Sequence, residues 1–193
     1  MRFSVAIACA AAGLATAAPL SQTDAQKRAS DLCFVVGSTT LPAETLAAAE
    51  ALASTVTCSS TTTIANVPDV TSGNVSFSDV NFADSDESTL AFALKEFATT
   101  SPLADNDLAE FQNRLNVYVA TEAGLRSVSG SLAIKVPKFF LSFQVSRIQT
   151  AQGNPPAAAG QTVEHLLGKV TKNAAGQSQD LIDQVTALSK VLA

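Results

Sequence analysis

A pair of cysteines, Cys33 and Cys58, places the tightest constraint on how this 193-residue chain can fold, and its meaning depends on what precedes it. Met1-Arg2 carries one positive charge ahead of an apolar run, Phe3 to Leu14, that is too short to span a bilayer as a helix. Ala15-Thr-Ala-Ala18 then offers the small residues that a signal peptidase pocket admits. The spacing predicts a signal peptide over 1–17, cut after Ala17, because a cut after Ala18 would leave Pro19 at the first mature position, a poor extended substrate. Export places the remaining chain in an oxidising compartment, and Cys9 leaves with the signal. Cys33 and Cys58 are then expected to form a disulfide, worth about 3 to 4 kcal/mol on chain-entropy grounds for a loop of this size.

Lys27-Arg28 is the one adjacent basic pair in the chain, following a short polar stretch, and so marks a possible pro-segment over 18–28. Its removal would leave a single domain over 29–193, long enough for a core of its own. Asn74-Val-Ser76 is a glycosylation sequon in a turn-rich stretch, and the Ser/Thr-dense run from Ser54 to Thr63 is a candidate for O-linked sugars. Neither a transmembrane span nor a lipid-anchor signal is visible at the amphipathic C-terminus.

Apolar spacing in the mature chain is dominated by the helical period. Pro42 suits the start of a first helix running to Ala53, with Leu46, Ala49, Ala53 and Val56 inward. Residues 57–83 lose that period and read as a long loop or a short hairpin. Asp84-Ser-Asp-Glu87 looks like a capping box for a second helix ending near Pro102. Asp105 or Asn106 caps a long third helix with Leu108, Phe111, Leu115 and Val119 on one stripe, ending toward Gly130. Phe139–Ile148, introduced by Pro137, favours a fourth, enclosed helix over a strand. Two more follow the Asn154–Gly160 linker, around Leu166 and Leu188, unless they are one helix with a weak point. The expected fold is therefore all-α, a compact bundle of five to six helices with a long N-terminal loop and one disulfide.

Charge is unevenly spread. From Asp31 to Glu110 twelve acidic residues accompany one base, Lys95, whereas Ala123 to Val163 holds Arg126, Lys135, Lys138 and Arg147 and no acid. Either the halves neutralise each other in the fold, or the basic stretch meets an anionic surface such as a wall polymer or lipid headgroups. With a net charge of −5 the chain is poor material for nucleic acid.

Catalytic chemistry finds little support. His165 is the single histidine and points away from its helix's apolar face; no Gly-x-Ser-x-Gly elbow occurs. Once the disulfide forms, zinc ligands are lacking. The acidic run Asp79 to Glu87 fails the calcium-loop pattern, since Ala83, Asp84 and Leu90 occupy ligand or glycine positions. No metal and no cofactor is expected. The one polar anomaly is Glu122 and Arg126 on the apolar stripe of the third helix, with Gln144 and Arg147 interrupting the fourth. If the two helices form a hairpin, these groups could meet near Tyr118, either as a salt-bridge cluster or as a polar pocket roofed by Phe139, Phe140 and Phe143.

The signal, the Lys27-Arg28 site, the cysteine pair and the stretch from Phe111 through Arg126 to Val136-Pro-Lys-Phe-Phe140 resemble small secreted proteins of filamentous fungi, a group largely without assigned activity. The resemblance implies an extracellular setting and transfers no catalytic residue. A weaker likeness, in composition only, is to hydrophobic-surface-binding and cell-wall mannoproteins of fungi. The expectation is a secreted, non-enzymatic binding protein acting at a cell-wall or host surface. The alternative is a carrier of a lipid or other apolar small molecule, and a small secreted hydrolase ranks third.

Overall fold

The computed structural model describes Ala29 and residues 31–192. The expected signal peptide, Cys9 and the expected processing site at Lys27-Arg28 lie outside those residues. Among the described residues six α-helices accompany a three-stranded antiparallel sheet: α1 Ala43–Glu50, β1 Val56–Thr62, β2 Pro68–Ser72, β3 Val75–Ser76, α2 Thr89–Glu96, α3 Leu108–Ser127, α4 Lys135–Ala151, α5 Val163–Asn173 and α6 Gln179–Leu188. The chain is thus mixed α/β, which corrects the all-α expectation.

The sheet escapes the hydrophobic pattern because polar groups are buried on both faces of its central strand. Only Val56 of β1 is buried, and Ser59 to Thr62 face solvent. In β2 the buried residues are Asp69, Val70 and Ser72. Each buried polar group has partners, as burial demands. Asp69 accepts from the Ser78 N–H (3.0 Å) and hydroxyl (2.6 Å). The Ser72 hydroxyl donates to Asn113 Oδ1 (2.9 Å) and accepts from Asn116 Nδ2 (3.1 Å), tying the sheet to α3. β1 pairs with β2 and β2 with β3, so β2 is central. The β2–β3 hairpin turns at Gly73 and Asn74, where Gly73 takes φ +59 and a Cβ would strike the Asn113 side chain at 2.4 Å.

The helices follow their periodicity, with shifted ends. α1 stops at Glu50, so Val56 belongs to a strand and Ala53 is exposed. α2 is capped by Ser88, whose hydroxyl accepts from the Ala91 N–H at 3.4 Å, and not by Asp84, which closes a short 3₁₀ turn. Asp107, accepting from the Ala109 and Glu110 N–H groups, caps α3 in place of Asp105 or Asn106. α5 and α6 are separate. Gln177 between them reaches α2, donating to Thr89 Oγ1 (2.5 Å) and accepting from the Leu90 N–H (3.0 Å).

Helix α3 occupies the centre, since every residue from Asn116 to Leu125 except Val119 is buried. The sheet and α1 pack on it, as does α4 in an antiparallel hairpin; α2, α5 and the Leu103–Asp105 turn pack on α4. Phe34, Leu90, Phe97, Phe140, Phe143 and Ile148 fill the interior between them. The segment before α1 straps across the end of α3. Thr39 N–H donates to Ser127 O (2.9 Å) and Gly37 N–H to Ser127 Oγ (3.0 Å), an approach so close that a Cβ on Gly37 would lie 2.0 Å from that carbonyl oxygen. The Cys33–Cys58 disulfide, with Cα atoms 6.1 Å apart, joins this strap to β1, as the cysteine count implies.

Candidate functional site

An antiparallel hairpin brings the last turns of α3 beside the first turns of α4. Glu122 and Arg126, one turn apart on α3, therefore face Lys135, Lys138 and Phe139 on α4. Glu122 is buried, and Arg126 donates to its Oε1 from both Nε (2.9 Å) and Nη2 (2.8 Å). Lys138 Nζ pairs with Oε2 of the same carboxylate and lies 4.2 Å from the centroid of the Phe139 ring. Both carboxylate oxygens are thus committed.

This cluster forms one wall of a cleft of about 350 Å³ between α1, α3, α4 and α5. The opposite wall brings Lys169 and Lys172 from the polar face of α5, where spacing of three residues places them side by side, away from the buried Leu166 and Val170. Glu44 and Thr45 of α1 complete the rim. Five cations thus line the cleft against two carboxylates, an excess of three positive charges on a chain whose total is −5. Lys135, Lys169 and Lys172 make no ion pair among the described residues. From the acidic half of the chain only Glu44 reaches the cleft; two other acids of that half pair elsewhere, Glu87 with Lys95 (3.0 Å) and Glu110 with Arg114 (2.5 Å), which lies just beyond it. The cleft can hold an oxyanion or an acidic polymer by direct charge contact.

Gln144 and Arg147 do not join this cluster. Arg147 lies nine residues beyond Lys138, about 13 Å farther along the helix axis, and so opposite the first half of α3. There Gln144 Nε2 donates to the Phe97 carbonyl (2.8 Å), and Arg147 donates to Gln144 Oε1 (2.6 Å), Val191 O (2.9 Å) and Thr99 Oγ1 (3.4 Å). Burial pushes the Arg147 guanidinium down to about 10. Tyr118 is in a third place, on the sheet side of α3, its hydroxyl donating to Val80 O (2.6 Å) and its ring packed edge-on against Phe77 and Phe97. Burial raises its phenol well above the ordinary range. The expected single pocket is therefore three separate polar sites. Phe140 and Phe143 are core residues with ring centroids 6.0 Å apart, and only Phe139 reaches the cleft.

Of the cleft cations, the acid-free stretch from Ala123 to Val163 pointed to Arg126, Lys135 and Lys138. Lys169 and Lys172 were missed, although the 3-residue spacing opposite an apolar face was the signal that could have found them. His165 is exposed, as read. Among the described residues no group of three acidic, His or Cys side chains is placed to hold a metal. In the acidic run, Asp79 accepts from the Ser76 N–H and Asp84 from Asn81 Nδ2, both at 2.9 Å. Asn74 is exposed at its turn. No helix of the described residues is long and apolar enough to cross a membrane.

The model of a family described as a domain of unknown function, DUF7143, matches residues 35–193. No curated protein and no solved structure matches the chain.

Proposed function

We propose that this chain, which belongs to the DUF7143 family, is a secreted, non-enzymatic binding protein whose cationic cleft takes an acidic polysaccharide at a cell-wall or host surface. The observation that carries the reading is the cleft's charge: three lysines without ion partners stand around a cavity of about 350 Å³, within the usual size range of ligand sites. Glu122 supports it by fixing Arg126 and Lys138 on the wall while leaving their charge in excess. Phe139 offers a ring face on which a sugar can lie.

Two features favour binding over the other readings. The space beside Phe140 and Phe143 is occupied by core packing, which leaves no chamber there for a carried lipid. Of the two carboxylates in the cleft, Glu122 has both oxygens engaged by cations, so a pair of working acids for hydrolysis is lacking. An N-linked glycan on Asn74 and removal of residues 1–28 belong to the same extracellular reading.

The test is retention of the secreted chain on immobilised polygalacturonate, with the neutral polymer dextran as control. Each exposed charge contact is worth about 0.7 kcal/mol, so Lys169→Gln with Lys172→Gln should weaken binding about tenfold. Wild-type affinity should fall steeply with salt. Equal retention on dextran, or a double variant that binds as wild type does, rejects the reading.

A further inference from the structure

Among the described residues Arg147 is the largest fully buried side chain, 1% exposed, and it has no acidic partner there. A guanidinium has five N–H donors on a rigid plane. Nη1 serves Gln144 and Thr99, Nη2 serves the Val191 carbonyl, and Nε, although buried, serves nothing. A buried cation held only by neutral acceptors, with a donor idle, is expensive to maintain. Beside it opens a pocket of about 140 Å³ that shares no residue with the cationic cleft. The hydroxyl-bearing residues Thr99, Thr100 and Ser101 line this pocket together with the apolar Leu103, Leu188 and Val191.

We propose that this pocket binds a small aliphatic monocarboxylate, its carboxylate on Arg147 and the Thr99–Ser101 hydroxyls, its short chain against Leu103, Leu188 and Val191. Nε and Nη2 lie on one edge of the guanidinium, the edge that accepts a carboxylate side-on, and because Nε is closed to water in the unliganded chain, seating the ligand requires that edge to turn toward the pocket. The carboxylate supplies the missing negative charge, and the apolar walls select an acid with a few methylenes over a bare inorganic oxyanion. The site is independent of the polysaccharide reading and stands if that reading falls.

The probe is sodium butyrate, with acetate and inorganic phosphate for comparison, added to full-length secreted protein. The readouts are the ¹⁵N–¹H resonance of Arg147 Nε and the thermal midpoint. Butyrate should move the resonance saturably and raise the midpoint, acetate should bind more weakly, and phosphate more weakly again. Arg147→Met should abolish the butyrate shift in midpoint. Thr99→Val, which keeps the arginine, should weaken binding several-fold even if the first variant folds poorly, and Lys169→Gln with Lys172→Gln should leave it unchanged. An Nε resonance that ignores butyrate, or phosphate binding as tightly as butyrate, overturns the proposal.

Discussion

Arg126 and Arg147 lie on paired helices and share one side-chain chemistry, yet the fold treats them in opposite ways. Arg126 keeps about a fifth of its side chain in water and shares the buried Glu122 carboxylate with Lys138. Arg147 is sealed from solvent and is held by an amide, a hydroxyl and a main-chain carbonyl. In the first case a single negative charge organises two positive ones. In the second, no single partner matters as much, because none carries a full charge. The fold therefore depends on the carboxylate at one site and merely tolerates the cation at the other.

The comparison breaks most clearly at Glu122. Glu122→Gln leaves two cations facing a neutral amide and should cost about 3 kcal/mol, read as a lower urea midpoint. A smaller effect, about 1.4 kcal/mol between about pH 9 and pH 11, should come from Tyr118, the buried polar group that carries no charge. Its folded phenol titrates above its unfolded value, so from about pH 10 upward the unfolded chain releases a proton that the folded chain keeps, and stability falls as pH rises. Tyr118→Phe should lack that decline in parallel urea titrations. Arg147→Met should shift the urea midpoint by about 1 kcal/mol or less in either direction, since the burial cost of the cation offsets the bonds it makes. A loss as large as that of Glu122→Gln would show that Arg147 is already matched by a negative charge. Lys169→Gln with Lys172→Gln, which changes only exposed, unpaired groups, should stay within about 0.5 kcal/mol by the same measurement.

What the sequence made legible follows from which interactions are local. Helices α2 to α6 were readable because Leu90, Phe111, Leu141, Leu166 and Val185 each recur with neighbours a turn away on a face that the fold buries. The sheet was legible only as the short hairpin that residues 57–83 allowed, because Asp69 on one face of β2 and Ser72 on the other are buried polar groups that break the alternation, and what makes them tolerable comes from Ser78, Asn113 and Asn116 elsewhere in the chain. The Glu122–Arg126 pair was visible as a break in an apolar stripe, and the acid-free stretch pointed to Lys135 and Lys138. That Gln144 and Arg147 form a separate site depends on the hairpin's direction and on the distance along α4. Lys169 and Lys172 join the cleft only because α5 folds back onto α4, a contact no local pattern encodes.

The disulfide has a consequence for the cleft as well as for stability. Helix α1, which carries Glu44 and Thr45 to the rim, lies wholly within the covalent ring closed between Cys33 and Cys58. One side of the cleft is thus mounted on a cross-linked frame, while the facing lysines of α5 are mounted on packing alone. In a thiol-rich medium that frame opens, and the α1 rim is then held only by the strap bonds to Ser127 and by its own small apolar contact. The cleft would lose its shape there before the helical core lost its fold, so the shape of the cleft depends on the disulfide staying oxidised.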